Sequence, residues 1–339
     1  MSIHHLVVGP AEHGVTTLAL QLVRAAFDRP TVTRINRVMT SADLSAVPTG
    51  RTAVHVHVTD RLFGSCPEQA QEVLVDLAAR CRLSVTLHDL PQPSDGPHSM
   101  PRRAACYAAV ARASRRVIVS SEHERSLLSA CLGQAETAAA LARPVVVIPL
   151  PVARPAHLPP PIAAASPDLG VLGFVYPGKG HHEVLATLAH LPPEVGMLVL
   201  GQASAGHQDV VEDLITSALL ARRRLVVTGY LSDEQLHRRL RSVAVPVAAH
   251  RHLSASGSIN SWLSAGRRPL APRSDYTLEL ANRLPGALTL YDDLAPAVAR
   301  ALDCPSSTWL DRAQVDQPGW GPDIAEVADR YRQVLAGLS

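Results

Sequence analysis

The stretch GFVYPGKGHHEVLATLAHL, Gly173 to Leu191, contains the only lysine of the chain, Lys179, set between two glycines. An apolar run precedes it and a helical pattern follows, so Pro-Gly-Lys-Gly reads as the turn from a strand into a helix. Gly178 and Gly180 free the backbone, the helix start offers unpaired N–H groups, and Lys179 adds a full positive charge. Together these residues make a site for a diphosphate. An ordinary turn with an exposed lysine would use the same residues.

A second candidate is HRHLSASGSINSWLSAGRRP, His250 to Pro269. Its Ser254–Ser258 run is small and rich in hydroxyls. The backbone N–H groups of Gly257, Ser258 and Ile259, with Ser256 before them, are expected to face outward at a helix start as a second anion cradle, and Arg251 to add charge. A serine-rich N-cap without a ligand is the plainer alternative. In TGYLSDEQL, Gly229-Tyr230-Leu231 leaves a strand where the backbone could bond a nucleobase edge and Tyr230 or Leu231 could pack on it. A capped loop explains that segment equally well.

GPAEHGVT, Gly9 to Thr16, keeps the glycine spacing of a Walker phosphate loop around Gly9 and Gly14, but Val15 stands where the lysine would be. It is either a tight strand-to-helix turn or a loop that touches a ligand whose phosphate-binding cation lies elsewhere. In LHDLPQPSDG, His88 and Asp89 stand just past a strand end, where an imidazole can donate or accept a proton near neutral pH. His55 and His57 alternate along one strand and share a face. Two histidines so spaced could hold a metal, but no metal-ligand motif completes the pair. With Thr59, Asp60 and Arg61 they are expected to line the entrance of a cleft. In VSSEHERSLL, Ser121 is most simply a helix cap.

The elements that must position these residues follow from the apolar pattern. Of 339 residues, 47% are hydrophobic and 18% charged, enough for two cored domains and against disorder. A net charge of +2 with aromatics at 4% gives no footprint for nucleic acid. The five cysteines are scattered, odd in number and never in CxxC spacing, which suits reduced thiols. No basic leader precedes an apolar stretch at the N-terminus, and no apolar run reaches the roughly 18 residues that span a bilayer. A cytoplasmic protein is expected, at the inner face of the membrane if a helix over 101–116, carrying Arg102, Arg103, Arg112, Arg115 and Arg116, makes a peripheral contact. Solvation of an exposed helix would account for those arginines as well. The oligomeric state is not legible.

Strands are predicted at 3–8, 53–58, 83–87, 116–119 and 144–148, with helices at 15–27, 67–80, 101–113 and 122–132 between them. A proline-rich linker, 151–168, follows. Strands then recur at 170–175, 196–201, 224–228, 243–248 and 287–290, with helices at 181–190, 209–221, 233–241, 257–265, 292–302 and 323–337. Such alternation predicts an α/β protein of two Rossmann-like, doubly wound parallel-sheet domains facing each other across a cleft. The boundaries expected are 1–150, the linker, 169–319, and a final helical segment, 320–339, crossing back to the first domain.

Taken together, the loop GPAEHGVT, the histidine of LHDLP, IPLPV before the linker, GFVYPGKG, TGYLSDEQL and SASGS…LSAGRRPLAP resemble retaining glycosyltransferases of family 4, over nearly the whole chain. The resemblance implies the GT-B fold, with the acceptor on the first domain and a nucleotide-sugar donor on the second. It implies transfer of a hexose of the glucose or mannose class from a UDP- or GDP-sugar to a glycan, glycolipid or small-molecule acceptor, with retention at the anomeric carbon. Lys179 and His88 would be catalytic. Gly9, Gly14, Gly178, Tyr230, Leu231, Ser256, Gly257, Ser258 and Ile259 would hold the donor, and His13, His57 and Asp89 would serve the acceptor. On this resemblance loop 9–16 closes over both substrates and Lys179 supplies the phosphate cation. No cofactor and no metal is implied, in line with the lack of any Asp-x-Asp triplet.

The chain departs from that pattern. Family members have Gly-Arg ahead of the lysine, whereas Gly173 is followed by Phe174. The two glutamates of E-x7-E fall near Ser254 and near Ser261 or Trp262. Some shorter members have a Ser-Gly motif there instead. Arg251 or Arg267 is the candidate to compensate. A catalytically degenerate protein that binds a nucleotide sugar or glycan without transfer is the alternative. An epimerase on the same fold would need more cleft carboxylates than the chain provides.

Overall fold

The structure is a computed structural model and describes residues 3–28, 30–133, 144–155, 158 and 166–338. The chain divides into two compact units, Met1–Pro151 with Pro322–Ser339, and Val152–Gly321.

The first unit alternates β1 (His4–Val8), α1 (Gly14–Ala26), β2 (Thr31–Ile35), β3 (Ala53–Val58), α2 (Pro67–Arg80), β4 (Arg82–Leu87), α3 (Gly96–Ala113), β5 (Arg116–Val119), α4 (Glu122–Leu132) and β6 (Val146–Val147). Its parallel sheet runs β2-β1-β3-β4-β5-β6. The central strands are buried on both faces, although His5, His55, His57, Ser84 and Thr86 interrupt their apolar runs. One face packs Leu6, Val56, Val85 and Leu87 against Leu74 and Tyr107.

The second unit contains β7 (Ser166–Leu172), α5 (His181–Thr187), β8 (Met197–Leu200), α6 (Gln208–Leu220), β9 (Leu225–Val227), α7 (Asp233–Ser242), β10 (Val243–Val247), α8 (Gly257–Ser264), β11 (Leu270–Pro272), α9 (Asp275–Arg283), β12 (Thr289–Tyr291), α10 (Leu294–Asp303) and α11 (Arg312–Val315). Its parallel sheet runs β12-β11-β10-β7-β8-β9. The last helix, α12 (Ile324–Ala336), belongs to the first unit, where Val327, Ala328, Tyr331 and Leu335 cover Ile3, Ala53, Ile118 and Ile148.

β2, β11, α9 and the one-turn α11 escape the apolar pattern. β2 is an edge strand with Thr31 and Val32 exposed, so it lacks an apolar run. β11 has three residues, and α9 follows it behind a Ser274 cap. β7 begins at Ser166, inside the proline-rich stretch: Ser166 pairs with Val243, and a register shift accommodates Pro167. Asp168 is buried there, 2.7 Å from Nη1 of Arg224. Val152, at the start of the stretch, is a core residue of the second unit beside Ile259 and Leu263. Residues 156–157 and 159–165 of the expected linker lie outside the described residues.

The arginine-bearing helix also differs from expectation. α3 ends at Ala113, so Arg115 lies beyond it and Arg116 opens β5. Arg103 faces inward and is buried, and Arg102 pairs with Glu68 at 2.7 Å. The predicted five-arginine face over 101–116 is therefore not one continuous cationic surface. Among the described residues, no helix is long and apolar enough to cross a membrane.

Candidate functional site

In each sheet the strand order reverses at one place, between β1 and β3 in the first and between β7 and β10 in the second. Ligands of open α/β sheets bind in the crevice outside the carboxyl ends of the strands at such a reversal. Each unit concentrates its candidate residues there.

In the second unit, the loop after β7 and the loop after β10 touch. Gly180 makes the approach feasible, because a β-carbon on it would stand 2.0 Å from the carbonyl oxygen of Ala249. The Arg251 N–H donates to the carbonyl of Gly178 at 2.8 Å, a second tie between the loops. Lys179 is thereby carried inward, to 6% exposure, which corrects the alternative of an exposed lysine. Its Nζ lies against Nε2 of His250 and 3.4 Å from Oγ of Ser258, with the Tyr176 ring centroid 6.0 Å away. Ser258 Oγ is also 3.2 Å from His250 Nε2 and 3.1 Å from Ser256 Oγ. Among the described residues Lys179 belongs to no ion pair.

Burial pulls the Lys179 ammonium down to about 7. Burial, and then Lys179, hold His250 well below its ordinary value and His181 at about 3. His250 therefore stays neutral and can accept from the ammonium through its Nε2 lone pair. A buried cation with only neutral partners is electrostatically incomplete and favours an anion.

The cradle predicted at α8 is narrower than expected. Ser256 caps the helix by accepting from Ile259 N–H at 3.2 Å, so that N–H is spent within the protein. Those of Gly257 and Ser258 remain, at the helix's positive end. The two arginines expected to compensate do not serve the site. Arg251 pairs with Glu183. Arg267 is fully buried over the Trp309 ring, where it donates to the carbonyls of Leu240, Val243, Ala244 and Thr308, and burial, then Arg241, lowers it to about 9. Ser261 donates back to Gly257 at 3.0 Å, and Trp262 is core, so no carboxylate takes the place of the missing glutamates there. Tyr230 is exposed at the end of edge strand β9, two strands from β7, and among the described residues bonds to none of the Lys179 group.

In the first unit, Thr16 donates its hydroxyl to the carbonyl of Val8 at 2.7 Å and packs beneath Gly9, whose φ of +105° and close neighbours admit no side chain. That hydroxyl closes a turn and is not left for a phosphate. Gly14 opens α1 behind His13. His88 follows β4, buried, with its Nε2 3.0 Å from Nδ1 of His57. Burial, and then His13, lower His88 to about 4 while Asp89 opposes them. His13, His57, His88 and Asp89 thus form one group. His55 and His57 do not line an entrance but lie buried beneath Tyr331 of α12, and both ring nitrogens of His55 meet hydroxyls, of Ser84 and Thr86.

Sequence reasoning missed what holds the His88 loop. Arg103 bonds Asp60 at 3.1 Å, Asp95 at 2.8 Å and Asp89 at 2.9 Å, and also donates to the Asp89 carbonyl at 2.7 Å. Tyr107, one turn on, donates to the carbonyl of His88 at 2.7 Å. This clamp holds Asp89 at a φ of +54°, uncommon for a residue with a side chain. The helical spacing of Arg103 and Tyr107 was available; that both face the β4 loop was not. The partnership of Lys179 with His250 needed only the strand order, since both follow strands that prove to be neighbours.

No protein-family model matches the chain, and no curated protein matches it in sequence. Its fold is similar to that of solved structures. HepE of Anabaena, solved in complex with UDP and glucose, is 18% identical over 99% of each chain with a TM-score of 0.71. Sucrose-phosphate synthase from Thermosynechococcus elongatus is 16% identical over 99% of this chain and 100% of that one, with a TM-score of 0.69. A UDP-forming α,α-trehalose-phosphate synthase from Burkholderia xenovorans, in complex with glucose-6-phosphate, is 13% identical over 87% of this chain and 75% of that one, TM-score 0.61. The two-unit α/β architecture of GT-B type is thereby established as the fold.

Proposed function

We propose that the protein is a nucleotide-sugar-dependent glycosyltransferase that uses Lys179 to hold the donor's diphosphate. The observation that carries this reading is the buried ammonium of Lys179, which among the described residues no ion pair neutralises, at the strand-order reversal of the second unit. The structural neighbour HepE, solved with UDP and with UDP-glucose, supports a donor of this class.

In the proposed reaction the bond from the anomeric carbon to the diphosphate oxygen breaks, and its electron pair leaves with the nucleoside diphosphate. Lys179 and the N–H groups of Gly257 and Ser258 stabilise that charge, a contribution of about 3–4 kcal/mol for one well-placed donor group. The acceptor hydroxyl bonds the same carbon on the face that retains the configuration, and its proton passes to the departing diphosphate oxygen. A hexose of the glucose or mannose class, on UDP or GDP, is the proposed donor, with no metal required. His88 is the second residue proposed as catalytic, and His13, His57 and Asp89 are assigned to the acceptor side. A glycan, glycolipid or small molecule is the proposed acceptor.

A second reading, binding without transfer, is favoured by one observation: Arg251, Arg267, Ser261 and Trp262 are all committed to internal contacts. A thermal-shift screen over UDP- and GDP-sugars tests the shared premise, since a ligand at a hundred times its dissociation constant adds about 2.7 kcal/mol. Release of nucleoside diphosphate with and without acceptors then separates the two. Lys179→Ala is expected to slow that release at least about a hundredfold; unchanged turnover would remove Lys179 from the mechanism.

A further inference from the structure

The first unit contains a row of buried imidazoles. His5 on β1 and His55 and His57 on β3 share the sheet face that α12 covers, and His88 ends the row beyond β4. Ring centroids are 6.2 Å apart for His5 and His55 and 5.2 Å for His55 and His57. The protons of His55 are fixed by its neighbours. Ser84 donates its hydroxyl hydrogen to the Val54 carbonyl at 3.1 Å, so its oxygen is left to accept from His55 Nδ1 at 2.9 Å. His55 Nε2 then accepts from the Thr86 hydroxyl at 3.2 Å, whose oxygen accepts from Tyr331 at 3.0 Å.

His57 is bound differently, because its partner is a second imidazole. Nδ1 of His57 and Nε2 of His88 are 3.0 Å apart, with the two rings inclined by 14°. One of these nitrogens must carry hydrogen and the other a lone pair. Burial keeps both rings neutral, with one proton each. If His57 carries its proton on Nδ1, His88 must carry its own on Nδ1 as well. If His88 donates from Nε2, then His57 is protonated on Nε2. The two rings are compelled into the same tautomer.

We propose that His57 is the positioning residue of His88: their hydrogen bond leaves His88 Nδ1 as the atom offered to a ligand and ties its donor or acceptor character to the tautomer of His57. This rests on the catalytic role proposed for His88. A sugar hydroxyl that donates to His88 Nδ1 selects protonation on Nε2 in both rings. An oxyanion there selects Nδ1–H in both. The clamp of Arg103 and Tyr107 on the following loop fixes the backbone, so the ring's rotation is left to His57.

The test is long-range 1H–15N correlation on the full chain labelled at histidine, with the two rings assigned through His57→Phe and His88→Gln. Matching tautomers for His57 and His88 in the unmodified chain are expected. His57→Phe, which keeps a ring beside Tyr331, is expected to shift the His88 nitrogens. His57→Asn, whose amide reaches the place of Nδ1, is expected to restore them. Opposite tautomers in the unmodified chain, or a His88 signal unmoved by His57→Phe, overturn the proposal. With UDP-glucose as probe, His57→Phe is expected to lower kcat for UDP release about tenfold or more with little change in KM, by analogy with partners that orient ligating histidines; an unchanged kcat overturns the positioning role. An unmodified chain that releases no nucleoside diphosphate from UDP- or GDP-sugars strikes the transferase reading instead, and the tautomer measurement still decides this one.

Discussion

A β-carbon on Gly173 would stand 3.0 Å from the ammonium nitrogen of Lys179. The strand end and the lysine are therefore matched, with the long side chain folded back over a backbone that has nothing on it. Gly173 also has a φ of +117°, closed to most side chains. Gly173→Ala is expected to cost stability of about 1–2 kcal/mol from the backbone alone and, because Nζ must give way, to weaken UDP binding further. Calorimetric titration of the folded variant with UDP checks this; wild-type affinity would show that the lysine's position is not critical.

Diphosphate binding should take up a proton. The free Lys179 ammonium, lowered to about 7 by burial, is mostly neutral at pH 8.5, and a bound anion restores its charge. Affinity for UDP is expected to fall as pH rises from 7 to 9, by up to about tenfold per unit. The terminal phosphate, with its last ionisation near pH 6, is already fully charged in that range and adds no slope. Titrations at pH 8.5 in buffers of different ionisation enthalpy read the uptake directly, and a flat dissociation constant would contradict it.

Two neighbouring glycines should differ sharply. Gly178 and Gly180 both have a φ of +89°, but a β-carbon on Gly178 meets nothing within 4 Å, while one on Gly180 meets the Ala249 carbonyl at 2.0 Å. Gly178→Ala is expected to cost about 1–2 kcal/mol. Gly180→Ala should cost several times as much, because it forces apart the loops after β7 and β10. Chemical denaturation of the two variants compares them; equal losses would mean that the loops do not meet as described.

The buried imidazoles make the protein acid-labile. His5 and His88 are lowered to about 4 in the folded chain, His5 by burial and then His4, against an ordinary value near 6.5. Between those values the unfolded chain binds more protons than the folded one, so stability is lost as pH falls from 6.5 towards 4. At pH 5 the loss is about 2 kcal/mol for each such histidine. His55 and His57, also lowered by burial, add to it. Melting scans at pH 7.5 and 5.0 check this, and an unchanged melting temperature would refute it.

Most of the sheet was legible because β1, β3, β4, β7, β8 and β10 are buried on both faces and their residues say so. β2 and β11 were not, since an edge strand or a three-residue strand leaves no such run. Lys179 was legible from its solitude between glycines, and Ser121 from cap spacing, with its oxygen accepting from Glu124 N–H. The fate of Arg103 and Arg267 was not. Both sit in helical or loop patterns that look solvated, and only the packed chain shows one gripping three aspartates and the other sealed against Trp309. His250 shows the same limit, because a residue's partner across two loops is set by strand order, which no local pattern encodes.

The helix that completes the first sheet is translated only after every strand of the second unit. Until the ribosome reaches Ile324, the nascent face of Ile3, Ala53, Ile118 and Ile148, with its file of imidazoles, has only partial cover, from Leu22, Ala26 and Phe27 of α1 and its end. The sheet made first is therefore sealed last, and the cell must tolerate a greasy, open surface for as long as the intervening polypeptide takes to emerge.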